Sequence, residues 1–448
     1  MPTPSFRARC WFLGYALLSI AAPAFGQTYR LDEPATDSRV FRVRQSMKLT
    51  GTLSTPVAAD KAIPLIMAAK AEQSFRARRI PGLGRNARAY RSLRYYDKAE
   101  MRVTVNKAKS RNRLSSTART IVAQGGDGGL MLYSPHGPIT HSDRDLLAMP
   151  GDSLALMAFL PPGPAKIGQS WTPGSWAVQM LAGIDAVAKS TVICKLTSAD
   201  RNAATISLAG QVDGARDGAP TTIALDGEFT YNRKRGHISA LKLKQSEKSR
   251  SGPVSPALDV IAEITMQREV TEDAGPLASR VAGRLSLEPK DELLKLRFDA
   301  SDDVRVVVDR NWHVVFHKKG VAILRLLDEG NLVAQVNVRS LPTAQSGERV
   351  SEKQFQRDIA VSLGGRLKKV VKAEQIKPKT KTADSRYLYR VTVEGKDNGI
   401  VMQWRYYLCA APSGKQVSLV FAVEKKLVEQ FADRDIGFVL GLRFTGGK

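Results

Sequence analysis

Three cysteines in 448 residues cannot staple a disulfide scaffold, and five histidines are too few for a histidine-rich metal centre. No apolar run approaches the roughly 20 residues that a membrane-spanning helix needs. No N-x-[ST] acceptor for N-glycosylation occurs, which favours a bacterial envelope or secreted chain over a eukaryotic extracellular one. No G-x-S-x-G elbow marks a serine hydrolase, and no paired-carboxylate signature stands out. The run Gly125-Gly126-Asp127-Gly128-Gly129 lacks the Lys-Ser/Thr that completes a phosphate loop and reads as a hairpin turn. Apolar residues make up 43% and charged residues 25%, which excludes a disordered, collagen-like or coiled-coil chain.

What the chain has in excess is positive charge: net +25, with an isoelectric point near 10.0. It also opens on an export signal. Arg7 and Arg9 form a basic start, Trp11 to Ala22 is a short apolar stretch, and Ala24-Phe25-Gly26 has small residues where a signal peptidase needs them. Residues 1–26 therefore read as a signal peptide cleaved before Gln27, and the protein is expected to be secreted or periplasmic. Cys10 precedes the apolar stretch and is no lipid attachment site. Cleavage leaves a charge of +23 and two cysteines, Cys194 and Cys409, which read as buried thiols in different domains, with a bridge left open.

Residues 27–39 are polar and read as a flexible lead. From Val40 to residue 270 the patterns are mostly period-two, the mark of antiparallel sheet with one wet face. Thr140 and Asp143 predict a capped short helix with Leu146, Leu147 and Met149 on its apolar side, and residues 171–187 are partly helical. Residues 271–300 are charged and weakly patterned, a linker. From 301 onward, strands at 304–308, 312–317, 321–327 and 331–338 precede a helix opened by Ser351 and Gln354. That helix carries Phe355, Ile359 and Leu363, and three long alternating strands follow it. A last helix carries Leu427 and Phe431 and extends toward Phe444. The fold class is α+β: a β-rich N-terminal domain, as a curved antiparallel sheet or half-open barrel, then an antiparallel sheet with flanking helices over 301–448.

This second part carries a tryptophan strand (Trp312), the run Gly330-Asn331-Leu332-Val333-Ala334-Gln335-Val336-Asn337, one amphipathic helix, and a Tyr/Arg-rich strand. The strand Trp404-Arg405-Tyr406-Tyr407 and a final helix after Phe421 to Glu424 complete it. In that order it resembles the PsbP-like α/β/α sandwich superfamily. The N-terminal half, through Arg88-Ala89-Tyr90, Ser134-Pro135-His136-Gly137-Pro138, Leu160-Pro161-Pro162 and Ile167-Gly168-Gln169-Ser170-Trp171, is similar to a group of large secreted bacterial proteins of planctomycete type and uncharacterised function. The resemblance implies adaptor or ligand-binding roles and no shared catalytic residues.

The densest charge lies at 76–113, net +11, including Arg76, Arg78, Arg79, Arg85, Arg88, Arg91, Arg94 and Lys98, with Tyr90, Tyr95 and Tyr96 interleaved. Such a field attracts polyanions by counterion release. The competing reading is a solvated face, and the spacing of 85, 88, 91 and 94 also suits a helix with snorkelling arginines. Smaller basic clusters at 233–250 and 366–381 read as solvated, the second as a loop. His136, His141 and Asp143 make a poor metal set. His313 and His317 fall in a strand pattern that places them on one sheet face. No cofactor is expected. The sequence thus points to an exported, non-catalytic envelope protein with a binding or structural role, a hydrophobic-ligand or lipid carrier being its first concrete form. The alternatives are a scaffold using 76–113 to hold an acidic polymer, an anionic membrane surface or another envelope protein, and, less favoured, a hydrolase. Sequence-specific nucleic-acid binding does not fit an exported chain.

Overall fold

The computed structural model describes residues 27–445 except 59–60, 319 and 378–385. The expected signal peptide lies outside the described residues. The chain is β-rich, with several antiparallel sheets, none of them closed. The largest has 13 strands. Its centre is the long hairpin Val40–Ala58 with Lys61–Arg79, flanked by Arg91–Val105 on one side and Ala257–Val270 on the other. Beyond Ala257–Val270 run three hairpin-linked strands, Ala203–Arg216, Ala219–Asn232 and His237–Ser249. The sheet ends in short strands, Gly129–Tyr133 at one edge and Ser170–Trp171 at the other.

Period-two patterning sets the two faces. Phe41, Val43, Met47, Ala71, Phe75, Ile223, Leu225, Phe229, Ile264 and Met266 are buried, while their neighbours in sequence face water. The buried face is covered by the helices His141–Leu147 and Ser175–Ala182 and the turns between them. Thr140 and Asp143 form the expected capping box. The last carbonyls of a helix have no partner within it. Three glutamines on the sheet's buried face supply donors at this level. Gln73 donates to Leu146 at 2.9 Å, Gln45 to Pro150 at 2.8 Å and Gln245 to Ala182 at 3.2 Å.

A seven-stranded sheet follows, in the order Trp312–Lys318, Val321–Asp328, Asn331–Leu341, Gln416–Glu424, Ile400–Ala410, Tyr387–Asp397, Leu367–Gln375. The helix Glu352–Leu363, capped by the Ser351 hydroxyl on Gln354 N–H, packs Phe355, Ile359 and Leu363 on one face. Helix Arg434–Leu440 and the strands Leu296–Ser301 and Val304–Val308 cover the other. These two strands join Leu442–Phe444 and Ile139–Thr140 in a four-stranded sheet, so a segment of the first half pairs directly with the second. Arg310 donates to Leu132 O at 2.6 Å and His141 Nε2 to Trp312 O at 2.9 Å across the same junction.

Several expectations are corrected. The lead 27–39 is not loose: Thr28–Tyr29 pairs with Ala165–Lys166, and Tyr29, Leu31 and Glu33 are buried. Residues 271–294 are packed rather than free, because Leu277, Leu285, Leu287, Leu293 and Leu294 cover Leu93, Val122 and Tyr133. The arginines at 85–94 do not form a helix. A 3-10 turn, Asn86–Ala89, leads straight into strand Arg91–Val105. Of the basic cluster 366–381, residues 367–375 are an edge strand, not a loop, and 378–381 lie outside the described residues. The final helix breaks at Ala432, whose φ is +47°, and Leu442–Phe444 returns as a strand. A bulge between Val314 and Phe316 adds one residue, so His313 and His317 face opposite sides of their sheet.

Candidate ligand cleft

The basic segment is not one patch. Arg94 is buried and forked onto Asp152, at 2.7 and 2.6 Å. Arg79 and Arg268 converge on the buried Glu33, which also accepts from Ile238 N–H at 2.7 Å. Arg91 is buried and donates to the carbonyls of Pro81 and Leu287. Arg76 bridges Asp97 and Asp273, and Arg78 reaches Ser279. Arg79 and Arg268 therefore tie the lead, and Arg91, Arg76 and Arg78 the segment 271–294, to the long sheet, while Arg94 ties down the turn at Asp152. Arg85, Arg88 and Lys98 are exposed, with Asp127 on Arg88 and Glu72 on Lys98. Tyr96 is buried against Phe75, so it offers no stacking platform.

Other sequence candidates are also structural. Asp143 caps its helix, His141 bonds to Trp312 O, and His317 bonds to Ala300 O at 3.1 Å. Among the described residues no group of three or more His, Cys, Asp and Glu is placed to hold a metal ion. Cys194 and Cys409 are both buried, and burial pushes the Cys194 thiol up to about 12. A charge cluster the sequence reading missed, Asp435 with Arg405 and the Tyr407 hydroxyl, is buried and bonded within itself at 2.6–2.7 Å. It is part of the framework under the second sheet.

Geometry instead marks a cleft of about 420 Å³ where the long sheet's covered face meets the second half. Met47, Leu49, Val260 and Ala262 of the sheet form its floor, with Leu130, Leu132, Met149, Met180 and Ile184 beside them. Its mouth is charged: Arg144, Asp145, Asp185, Arg216, Asp217, Glu247 and Arg310. Arg216 is fixed, its Nη1 shared between both carboxylate oxygens of the buried Glu247 at 2.7 Å and its Nη2 and Nε donating to the carbonyls of Ala182 and Gly183. Asp217 stands in the left-handed conformation of a two-residue hairpin turn, φ +49°, with Gly218. Its N–H donates to the Asp185 carboxylate at 2.6 Å, and its own carboxylate lies 3.6 Å from His313 Nδ1.

Desolvation raises the carboxyls of Asp185 and Asp217 above their ordinary range. The same cause, helped by Arg144, holds the His313 imidazole down to about 4 and the Arg310 guanidinium down to about 10. At neutral pH the mouth thus presents two desolvated carboxyl groups, with the neutral His313 imidazole behind Asp217. The site suits a ligand with an apolar body and a polar or cationic end. Sequence reasoning missed it because Arg144, Asp185, Asp217, Glu247 and Arg310 come from distant loops and strands. The one local signal was the Asp217-Gly218 turn.

A scan of protein-family models and a search of curated proteins both return no match. Among solved structures the chain has a partial likeness to cyanobacterial PsbP (CyanoP) from Synechocystis sp. PCC 6803, at 14% identity and a TM-score of 0.27. That alignment covers 38% of this chain and 99% of that one. Lipovitellin aligns at 8% identity and a TM-score of 0.30, over 52% of this chain and 25% of its own. OprB of Pseudomonas putida aligns over 87% of this chain and 93% of its own, with a TM-score of 0.13. Among the described residues no helix is long and apolar enough to cross a membrane.

Proposed function

We propose that the protein is an exported, non-catalytic binding protein whose cleft holds a small amphiphile. One observation carries the reading: an apolar floor of about 420 Å³ opens to a mouth of fixed charges and raised-pKa carboxyls. That volume falls within the range of small-molecule sites, which pair apolar walls with a few placed polar groups. The floor selects a hydrocarbon portion of limited length, because most of the covered face is already filled by core residues. Asp185 and Asp217 favour an ammonium or a hydrogen-bond donor at the head, since a cation there relieves two desolvated carboxylates.

The test is native mass spectrometry of the protein purified at high salt, followed by organic extraction. A discrete co-purifying mass that moves into solvent is expected. Ala148 lines the mouth and is exposed, so Ala148→Trp closes the cleft without entering the core. The variant should fold with wild-type stability and lose the mass. A bare wild-type mass, or a ligand retained by the variant, overturns the reading.

A further inference from the structure

The central hairpin runs further than its covering. On the face that is buried lower down, cross-strand pairs continue outward as Leu49 with Ala69, Gly51 with Met67, Leu53 with Leu65 and Thr55 with Ile63. Leu53, Leu65 and Met67 are half-buried and Ile63 is 44% exposed. The opposite face carries Ile66, 71% exposed. Residues 49–55 and 62–68 contain no charged side chain. An uncharged, aliphatic strand pair exposed on both faces is unusual for a surface that meets only water.

Behind this finger stands a row of cations. Lys48 pairs across with Lys70, Lys70 with Arg102, and Arg102 with Arg111, so four like charges lie side by side over four strands. All four are exposed. Like charges directly opposite one another destabilise a sheet. Compensation is thin: Glu100 is shared by Lys98, Arg102, Arg111 and Arg113, and Glu263 stands across from Lys48. Beside the finger, Asn106 exchanges hydrogen bonds with the Ile66 backbone, which places the turn carrying the exposed Lys107 next to Ile66. Ile66 lies four residues beyond Lys70, about 13 Å along a strand. That spacing sets the aliphatic stretch around Ile63 and Ile66 at the acyl boundary with cations among the headgroups.

We propose that this finger and the cationic row behind it dock the protein on an anionic lipid bilayer. The aliphatic residues enter the interface, and Lys48, Lys70, Arg102 and Lys107 meet lipid phosphates. The charge pattern selects this occupant: an apolar partner protein would need no row of cations, and a soluble acidic polymer would need no exposed Ile63 and Ile66. The proposal stands apart from the cleft and does not depend on its ligand.

Co-sedimentation of the full chain with vesicles tests it, using phosphatidylglycerol–phosphatidylcholine mixtures against pure phosphatidylcholine. Binding is expected to the anionic vesicles only and to weaken with salt. The pair Ile63→Asp/Ile66→Asp and the pair Lys48→Gln/Lys70→Gln should each lower the partition coefficient on the order of tenfold. All variants keep residues 1–26, so a difference from wild type reads the hairpin alone. Ile66→Trp, at an exposed position that tolerates bulk, should shift its fluorescence to the blue on binding and be quenched by brominated acyl chains. Equal binding of the Asp pair and wild type, or an emission from the Ile66→Trp variant that vesicles leave unchanged, overturns the proposal. Binding of soluble polyphosphate with wild-type vesicle affinity in the Asp pair would point to an acidic polymer and overturn it as well.

Discussion

Gly218 and Gly330 meet turn against turn: a Cβ on Gly218 would lie 2.1 Å from the Gly330 carbonyl oxygen. Each glycine ends a two-residue hairpin turn, after Asp217 in the long sheet and after Glu329 in the second sheet, and each has positive φ. Only glycine gives both the left-handed backbone and the close approach. This contact sits beside the mouth of the cleft, where Asp217 reaches His313.

Gly218→Ala should therefore cost about 1–2 kcal/mol from the backbone conformation alone, with more from the displaced turn. Thermal unfolding reads the loss. Limited proteolysis should show new cleavage near the Asp217 and Glu329 turns before anywhere else. A variant with wild-type melting and wild-type cleavage would show that the two turns are not held together.

The Arg94–Asp152 pair makes a second test. Both side chains are at most 5% exposed, and the fork leaves neither charge unpaired. Removing one partner strands the other in the core, so Arg94→Met or Asp152→Asn should lower stability by about 3–5 kcal/mol. Exposed Arg85→Gln should change it by less than about 0.5 kcal/mol. Urea midpoints compare the variants, and similar losses for Arg94 and Arg85 would contradict the buried fork.

Acidification separates the histidines from the carboxyls. His313 has a folded value of about 4 against an ordinary 6.5, so the unfolded chain takes up a proton first as pH falls. Its share of stability is present above 6.5, is lost progressively toward pH 4, and amounts to about 3 kcal/mol. His141 and His237, also lowered by burial, act in the same sense. Asp185 and Asp217, raised by desolvation, act in the opposite sense and gain stability on protonation. His313→Gln should flatten the fall between pH 6.5 and 4, measured by denaturant melts across that range. An unchanged slope would place the acid sensitivity elsewhere.

Much of the architecture was written in local pattern. The alternation at 257–270, the capping pairs Thr140/Asp143 and Ser351/Gln354 and the Asp127-Gly128 turn appear where short-range chemistry puts them. What escaped depended on partners far along the chain. Arg79, Arg91 and Arg94 look like a solvated basic run until Glu33, Leu287 and Asp152 are brought beside them. The segment 271–294 looks like a linker because its leucines are spaced for a seam over Leu93 and Tyr133, not for a regular helix. The cleft was invisible for the same reason: its floor is ordinary strand alternation, and its mouth is assembled from turns of both halves.

The margins of the sheets have a consequence for a chain made of so much strand. The long sheet stops at strands of five and two residues, Gly129–Tyr133 and Ser170–Trp171. Its side strand Ala108–Arg113 is fully exposed and carries Lys109, Arg111 and Arg113. The second sheet closes on Leu367–Gln375, with Lys368, Lys369 and Lys372. A neighbouring molecule seeking to extend a sheet at these margins finds too few amides to pair with, or meets its own positive charge. These margins are thereby protected from edge-on polymerisation, and crowding would not seed fibrils from them.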